Sequence, residues 1–271
     1  MEVCQMLQLT NENYFSPEAN WEYLSTSQYK DFMGSIGMKG CEAQAMAKLE
    51  GRWSMEMTTP LLVGSYVDAH FEGTLDLFRA QHPELFTKAG GLKADYVKAE
   101  EIIQFLEKDP LFMFYMSGEK QVIMTGNIDD TPFKIKIDSF LRDKAIVDLK
   151  CMQSLTKSHW IKDLGHVSFI DYWGYDLQAA IYQEVVRQNT EVKLPFFIAG
   201  ASKEKVTNKE ILYIDNARLE ESLESIKSNL YHIKQLKNHE IEPVRCETCD
   251  YCRSTKMLKA PIHYSALLLD I

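Results

Sequence analysis

Pro132-Phe-Lys-Ile-Lys-Ile-Asp138, Ala145-Ile-Val-Asp-Leu-Lys150 and Tyr175-Asp-Leu-Gln-Ala-Ala-Ile-Tyr182 are the stretches that decide the fold. The first two alternate in side-chain character, as a strand with two unlike faces requires. A period of two puts Asp148 and Lys150 on one face and turns Leu149 to the other. The third stretch has helical spacing, and residues four apart, such as Gln178 and Tyr182, share a helix face. Asp138, Asp148, Lys150, Gln178 and Tyr182 can therefore converge, bringing together two carboxylates, an ammonium, an amide and a phenol.

Working outward, strands are expected over 119–128, 132–142 and 144–150, joined by turns at 127–130 and 142–144. The first 30 residues, polar and aromatic, read as an irregular lead-in. Near its end Ser25-Thr-Ser-Gln28 has capping-box spacing and starts a helix running to about Gly34. Further helices are expected over 41–50, 58–80 and 95–108, the last ending at Asp109-Pro110. Beyond the strands come a long helix over 169–189, strands over 194–201 and 210–214, and an amphipathic helix over 216–239. Helices, three strands, a helix and a strand pair make an α/β protein, a central mixed sheet flanked by helices. One domain is expected over 1–271. It divides into an N-terminal helical part (about 20–110), a catalytic sheet with helices (about 119–240) and a cysteine-containing tail (241–271).

The chain has 271 residues, 45% of them hydrophobic, enough for a substantial core. No apolar stretch is long enough to span a bilayer, and no secretory signal opens the sequence, so a cytoplasmic protein without membrane contact is expected. The net charge of −9 argues against a broadly basic nucleic-acid-binding surface. It does not exclude a carboxylate-rich metal site or a local basic channel.

The converging set suits metal-assisted hydrolysis of a phosphodiester, in which a metal neutralises non-bridging oxygens and acidifies a water. Mg²⁺ and Mn²⁺ take oxygen ligands. Asp138 and Asp148 supply two, and the Leu149 backbone carbonyl is a candidate third. Lys150 would serve the attacking water, and Gln178 and Tyr182 would hold Lys150, the water or a substrate phosphate. His70 is a candidate imidazole ligand. Each residue alone also has a plainer reading: a solvated strand face, a satisfied histidine, ordinary helix positions. Glu191-Val-Lys193 repeats the carboxylate-x-lysine spacing without a preceding aspartate-bearing hairpin, and is read as a decoy.

Six cysteines stand at 4, 41, 151, 246, 249 and 252. Cys246, Cys249 and Cys252 are spaced to ligate one metal, and a closed site needs a fourth ligand, either Cys41 or His239. Free thiols in a polar tail are the alternative. Trp160 and Lys157, after the Asp-x-Lys strand, are candidates for stacking on or meeting DNA. Arg52, with Lys30 and Lys39, is a candidate for a basic pocket that meets phosphate.

The ordered set His70, Asp138, Asp148-x-Lys150, Gln178-x-x-x-Tyr182 resembles the RecB-like branch of the PD-(D/E)xK nucleases. Within that branch it is most similar to RecE-like (exonuclease VIII) and lambda-exonuclease-type alkaline exonucleases. Tyr14-Phe-Ser, Tyr23 to Phe32 and Gly64-Ser-Tyr-Val-Asp-Ala-His70 add to the likeness, which covers about residues 20–255. The resemblance implies a restriction-endonuclease-like core, with His70, Asp138, Asp148 and the Leu149 carbonyl holding one or two Mg²⁺ or Mn²⁺ ions. It implies a 5′→3′ exodeoxyribonuclease that degrades linear double-stranded DNA from its ends. The 3′ strand left behind would go to a single-strand annealing protein in phage or prophage recombination. It further implies a ring-shaped homo-oligomer, trimer or tetramer. An endonuclease or single-strand nuclease of the same fold, or a non-catalytic DNA-binding module, are the alternatives. Some RecB-like nucleases tie one N-terminal and three C-terminal cysteines around a [4Fe–4S] cluster, a role open here to Cys41, Cys246, Cys249 and Cys252, with Zn²⁺ as the other option.

Overall fold

The computed structural model describes residues 6–268; Cys4 lies outside them. Helices α1 (Pro17–Glu22), α2 (Thr26–Met33), α3 (Glu42–Leu49), α4 (Thr59–Glu72), α5 (Leu75–Gln81), α6 (Ala94–Glu107) and α7 (Pro110–Tyr115) form the N-terminal part. A small hairpin of β1 (Gly34–Ser35) and β2 (Met38–Lys39) lies between α2 and α3. Then follow β3 (Val122–Ile128), β4 (Thr131–Ile137), β5 (Ser139–Leu141), β6 (Ala145–Met152), β7 (His159–Ile161) and β8 (Gly165–Val167). Helices α8 (Phe169–Trp173) and α9 (Tyr175–Thr190), strands β9 (Phe196–Ser202) and β10 (Lys209–Tyr213), and helices α10 (Asn216–Lys237) and α11 (Asp250–Ser254) complete the order.

The central sheet runs β10-β9-β6-β5. Its inner pair, β6 and β9, is parallel, and the outer pairings are antiparallel, so the sheet is mixed as expected. A parallel pair needs a crossover, and α8–α9 supply it. Strand alternation then divides the core. Ile146 and Ile198 face α9 and α10, against Ala179, Ile181, Ile226 and Leu230. Val147, Leu149, Ala199 and Ala201 face α4 and α6, against Val63, Val67, Ile102 and Leu106. Both sheet faces are covered, which explains why β6 is almost continuously buried.

Three expected elements are broken, each for a local reason. The strand over 132–142 stops at Asp138: β4 pairs with β3, and after Asp138 the chain continues as β5 against β6. The helix over 58–80 ends at Gly73 and that over 169–189 is interrupted at Gly174. These glycines have φ of 80° and 62°, left-handed backbone that glycine adopts without a Cβ penalty. The lead-in contains a helix, α1, capped by the Ser16 side chain with Pro17 in its first turn. Asp109-Pro110 ends α6 as expected but also opens α7, because Asp109 accepts from the amides of Leu111 and Phe112. The Ser25 capping box is present, with the Ser25 and Gln28 side chains bonding each other's backbone reciprocally. The β3–β4 turn at Asp129-Asp130 has φ of 44° and 55°, the doubly positive turn that suits a two-residue hairpin. Among the described residues no helix is long and apolar enough to cross a membrane.

Candidate active site

β5 is three residues long and pairs with β6 only as far as Val147. Beyond that point the edge of β6 is open. Asp138, at the β4–β5 break, closes part of it: the Leu149 amide donates to Asp138 Oδ2 at 2.8 Å. Within a strand the N–H and C=O of one residue point to the same edge. The Leu149 carbonyl therefore also faces the open edge, where Lys150 Nζ lies 3.5 Å away. The Leu149 side chain is buried on the other face, as its alternation predicts.

Asp148 and Lys150 share the cavity face, and their side chains form an ion pair. Asp148, 3% exposed, also accepts from Gln178 Nε2 at 2.6 Å. Gln178 thus orients Asp148, not Lys150 or a water. Tyr182 donates its hydroxyl to the Lys136 carbonyl at 3.0 Å, fixing α9 to β4. Asp138, Asp148, Leu149, Lys150, Gln178 and Tyr182 all line one cavity of about 630 Å³.

His70 does not reach that cavity. It pairs with Glu107 of α6 through Nε2 at 2.9 Å. The residues that α4 does contribute are Asp68 and Glu72. Two positions along a helix turn the side chain by roughly 200°, so Asp68 and His70 cannot face the same way, whereas residues four apart can. The sequence signal was present as carboxylates four residues apart on a largely apolar helix.

The electrostatics are unbalanced. Burial, with Asp148 beside it, pushes the Asp138 carboxyl up to about 7. Burial pushes Asp68 well above the usual carboxylate range, and the charge of Asp138 adds to the effect. Burial pushes the Lys150 ammonium down, but the Asp148 and Asp138 carboxylates outweigh it and hold Lys150 above the ordinary lysine range. Lys30, on α2, is driven down to about 8 by burial and by the charge of Lys150. Asp68 Oδ1 is buried without a hydrogen-bond partner. A carboxylate oxygen in that state normally has a partner. Asp68, Glu72, Asp138, Asp148 and Leu149 line the same cavity, and oxygen donors of this chemistry suit a hard divalent cation of the Mg²⁺ or Mn²⁺ kind.

The cavity also has a cationic lining. Lys30, Lys48, Lys134 and Lys136 line the cavity with Ser25, Thr26 and Ser27 at the start of α2. Lys48 is tied to Asp31 at 2.6 Å. Lys134 is 1% exposed and bonds Asn20 Oδ1 at 2.7 Å and the Tyr14 carbonyl. Lys136 lies 5.7 Å from the centre of the exposed Phe15 ring. Sequence reading assigned no part of this lining except Lys30, because it forms where the lead-in folds over β4.

The remaining candidates stand apart. Arg52 pairs with Glu50 and donates to Tyr251 Oη at 2.8 Å, away from the cavity. Lys39 is exposed on the β1–β2 hairpin. Trp160 sits on the β7–β8 hairpin and is 69% exposed; Lys157, just before it, is also exposed. The Glu191-x-Lys193 copy is not on a strand: Glu191 caps α9 with φ of 61°, and Lys193 pairs with Glu220. At the cysteine cluster the fourth group is Cys41. His239 packs instead against Trp21, ring centres 5.7 Å apart.

Residues 25–255 match the model of a PDDEXK-like domain of unknown function, DUF3799. The crystal structure of a protein from Eubacterium rectale called "Putative exonuclease" is 53% identical, with a TM-score of 0.96 over 98% of this chain and 100% of that one. A crystal structure of SSO0001 is far more distant, at 12% identity and a TM-score of 0.28 over 69% of this chain and 81% of that one, and carries no argument. No protein with a curated description matches the chain.

Proposed function

The chain belongs to the PDDEXK-like family DUF3799, and from that premise we propose that it is a metal-dependent exodeoxyribonuclease digesting linear duplex DNA. The observation that carries the reading is that Asp68, Glu72, Asp138, Asp148 and Leu149 line one cavity with Lys150, and that Lys30, Lys48, Lys134 and Lys136 line it too. Those five oxygen donors would hold Mg²⁺ or Mn²⁺. When bound, such an ion supplies Lewis acidity toward a phosphodiester and an acidified water.

The protein's own residues do the rest. Lys150, paired with Asp148, stands where it orients the attacking water and hydrogen-bonds phosphoryl oxygens. Gln178 fixes the Asp148 carboxylate through its 2.6 Å bond. Lys30, Lys48 and Lys136 meet the substrate backbone, which reconciles a net charge of −9 with DNA binding.

Exonuclease action draws support from the name of the Eubacterium rectale relative. The 5′→3′ polarity, the annealing-protein partner, the ring and the phage setting rest on the likeness to RecE-like enzymes. The test is digestion of end-labelled linear duplex beside a covalently closed circle, with Mg²⁺ and then EDTA. Loss of the linear DNA only, with 5′ label released first as mononucleotide, is the expected result. Cutting of the circle would make the enzyme an endonuclease, and binding without hydrolysis at any Mg²⁺ or Mn²⁺ concentration would end the proposal.

A further inference from the structure

The Sγ atoms of Cys41, Cys246, Cys249 and Cys252 all lie within 4.8 Å of one another, although Cys41 is about two hundred residues from the other three. All four are free thiols. Cys41 Sγ stands 3.6 Å from Cys252 Sγ, and Cys246 Sγ 4.0 Å from the same atom. Four thiolates around one tetrahedral ion, with metal–sulfur bonds of about 2.3 Å, place their sulfurs about 3.8 Å apart. In a [4Fe–4S] cube each cysteine binds its own iron at a separate corner, so the sulfurs are spread wider. The spacing here fits the first arrangement and not the second. We propose that these four cysteines bind a single tetrahedral thiophilic divalent ion, zinc in kind, and not the cluster found in some RecB-like nucleases.

Two further observations support a built site. Backbone amides already point at the sulfurs: Gln44 at Cys41 (3.5 Å), Cys249 at Cys246 (3.3 Å) and Cys252 at Cys249 (3.4 Å). Such bonds favour thiolate over thiol. The site is also partly enclosed: Cys41 and Cys252 are buried beside Ala43, Ala47 and Tyr251, and Cys246 and Cys249 are half-buried. Soft thiolates select zinc-like ions over Mg²⁺, so this centre and the carboxylate cavity take different metals.

The position assigns the ion a task. Cys41 caps the N-terminus of α3, and the other three cysteines belong to α11 and the loop before it. The face of α3 turned away from the thiols carries Ala45, Lys48 and Leu49, which line the cavity. The ion therefore clips the C-terminal segment onto the back of a helix whose front forms the cavity wall.

The test is elemental analysis of the full chain purified both in air and anaerobically, without added metal. About one zinc per chain, without iron or acid-labile sulfide, is expected in both preparations. Cobalt grown in its place should give the intense thiolate charge-transfer bands of a tetrahedral site. Cys252→Ser should cut bound zinc at least fivefold, while Cys151→Ser, outside the cluster, should leave it unchanged. If Cys252→Ser does not fold, titrating the wild-type protein with a mercurial thiol reagent reads zinc release directly. Iron with sulfide in the anaerobic preparation, or wild-type protein without metal, overturns the proposal. None of these readouts depends on nuclease activity.

Discussion

Asp138 accepts from the backbone amide of Leu149 at 2.8 Å, so the residue that ends β4 also closes the open edge of β6. One side chain thus has a structural bond and a place among the proposed metal-binding donors. Asp138→Asn separates the two, because an amide oxygen still accepts from Leu149 while the charge is gone. Duplex digestion should fall by at least about 100-fold, the scale of losing one preorganised electrostatic group. The melting temperature should stay within a few degrees, as measured by calorimetry. Asp138→Ala should instead lower both, since the buried amide is left unpaired at about 1–3 kcal/mol.

Asp68 Oδ1 is a buried carboxylate oxygen without a hydrogen-bond partner. Removing its charge relieves repulsion with Asp138 and Asp148, so metal-free Asp68→Asn protein should be no less stable than wild type. Mg²⁺ should stabilise the wild type by about 2.7 kcal/mol at one hundred times its dissociation constant. In Asp68→Asn that stabilisation should shrink by at least half, read as the Mg²⁺-dependent shift in melting temperature. An equal shift in both proteins would remove Asp68 from the metal site.

His70→Ala distinguishes the geometry from the family motif. Its partner is the half-exposed Glu107, and an exposed pair of this kind is worth about 0–1 kcal/mol. Digestion rates should stay within about threefold of wild type. A loss comparable to that of Asp138→Asn would put the histidine in the site after all.

Gln178 and Tyr182 lie one turn apart on α9 but bond differently. Gln178→Ala frees the Asp148 carboxylate and should lower the rate of digestion by about tenfold or more with little change in substrate affinity. Tyr182→Phe loses only the bond to the Lys136 carbonyl, costing about 1 kcal/mol of stability and leaving the rate within about threefold. Steady-state kinetics beside urea unfolding reads both.

The sequence alone determined whatever depends on local period. Alternation placed Asp148 and Lys150 on one face and Leu149 on the other, spacing of four paired Gln178 with Tyr182, and the Ser25 capping box started α2. The order of elements was enough for a mixed sheet flanked by helices. Glycine's freedom at positive φ, which the sequence permits but does not require, broke the long helices at Gly73 and Gly174.

Only the tertiary structure decided how a helix is rotated about its own axis. Packing of Val63 and Val67 against Val147 and Leu149 turns Asp68 and Glu72 to the cavity and His70 to Glu107. The spacing of four puts Asp68 and Glu72 on one face of α4, but which face meets the cavity depends on the surface α4 packs on. The lysine lining and the pairing of Cys41 with the C-terminal cysteines arise in the same way. Both join segments more than a hundred residues apart, and their geometry exists only once the core between them is packed.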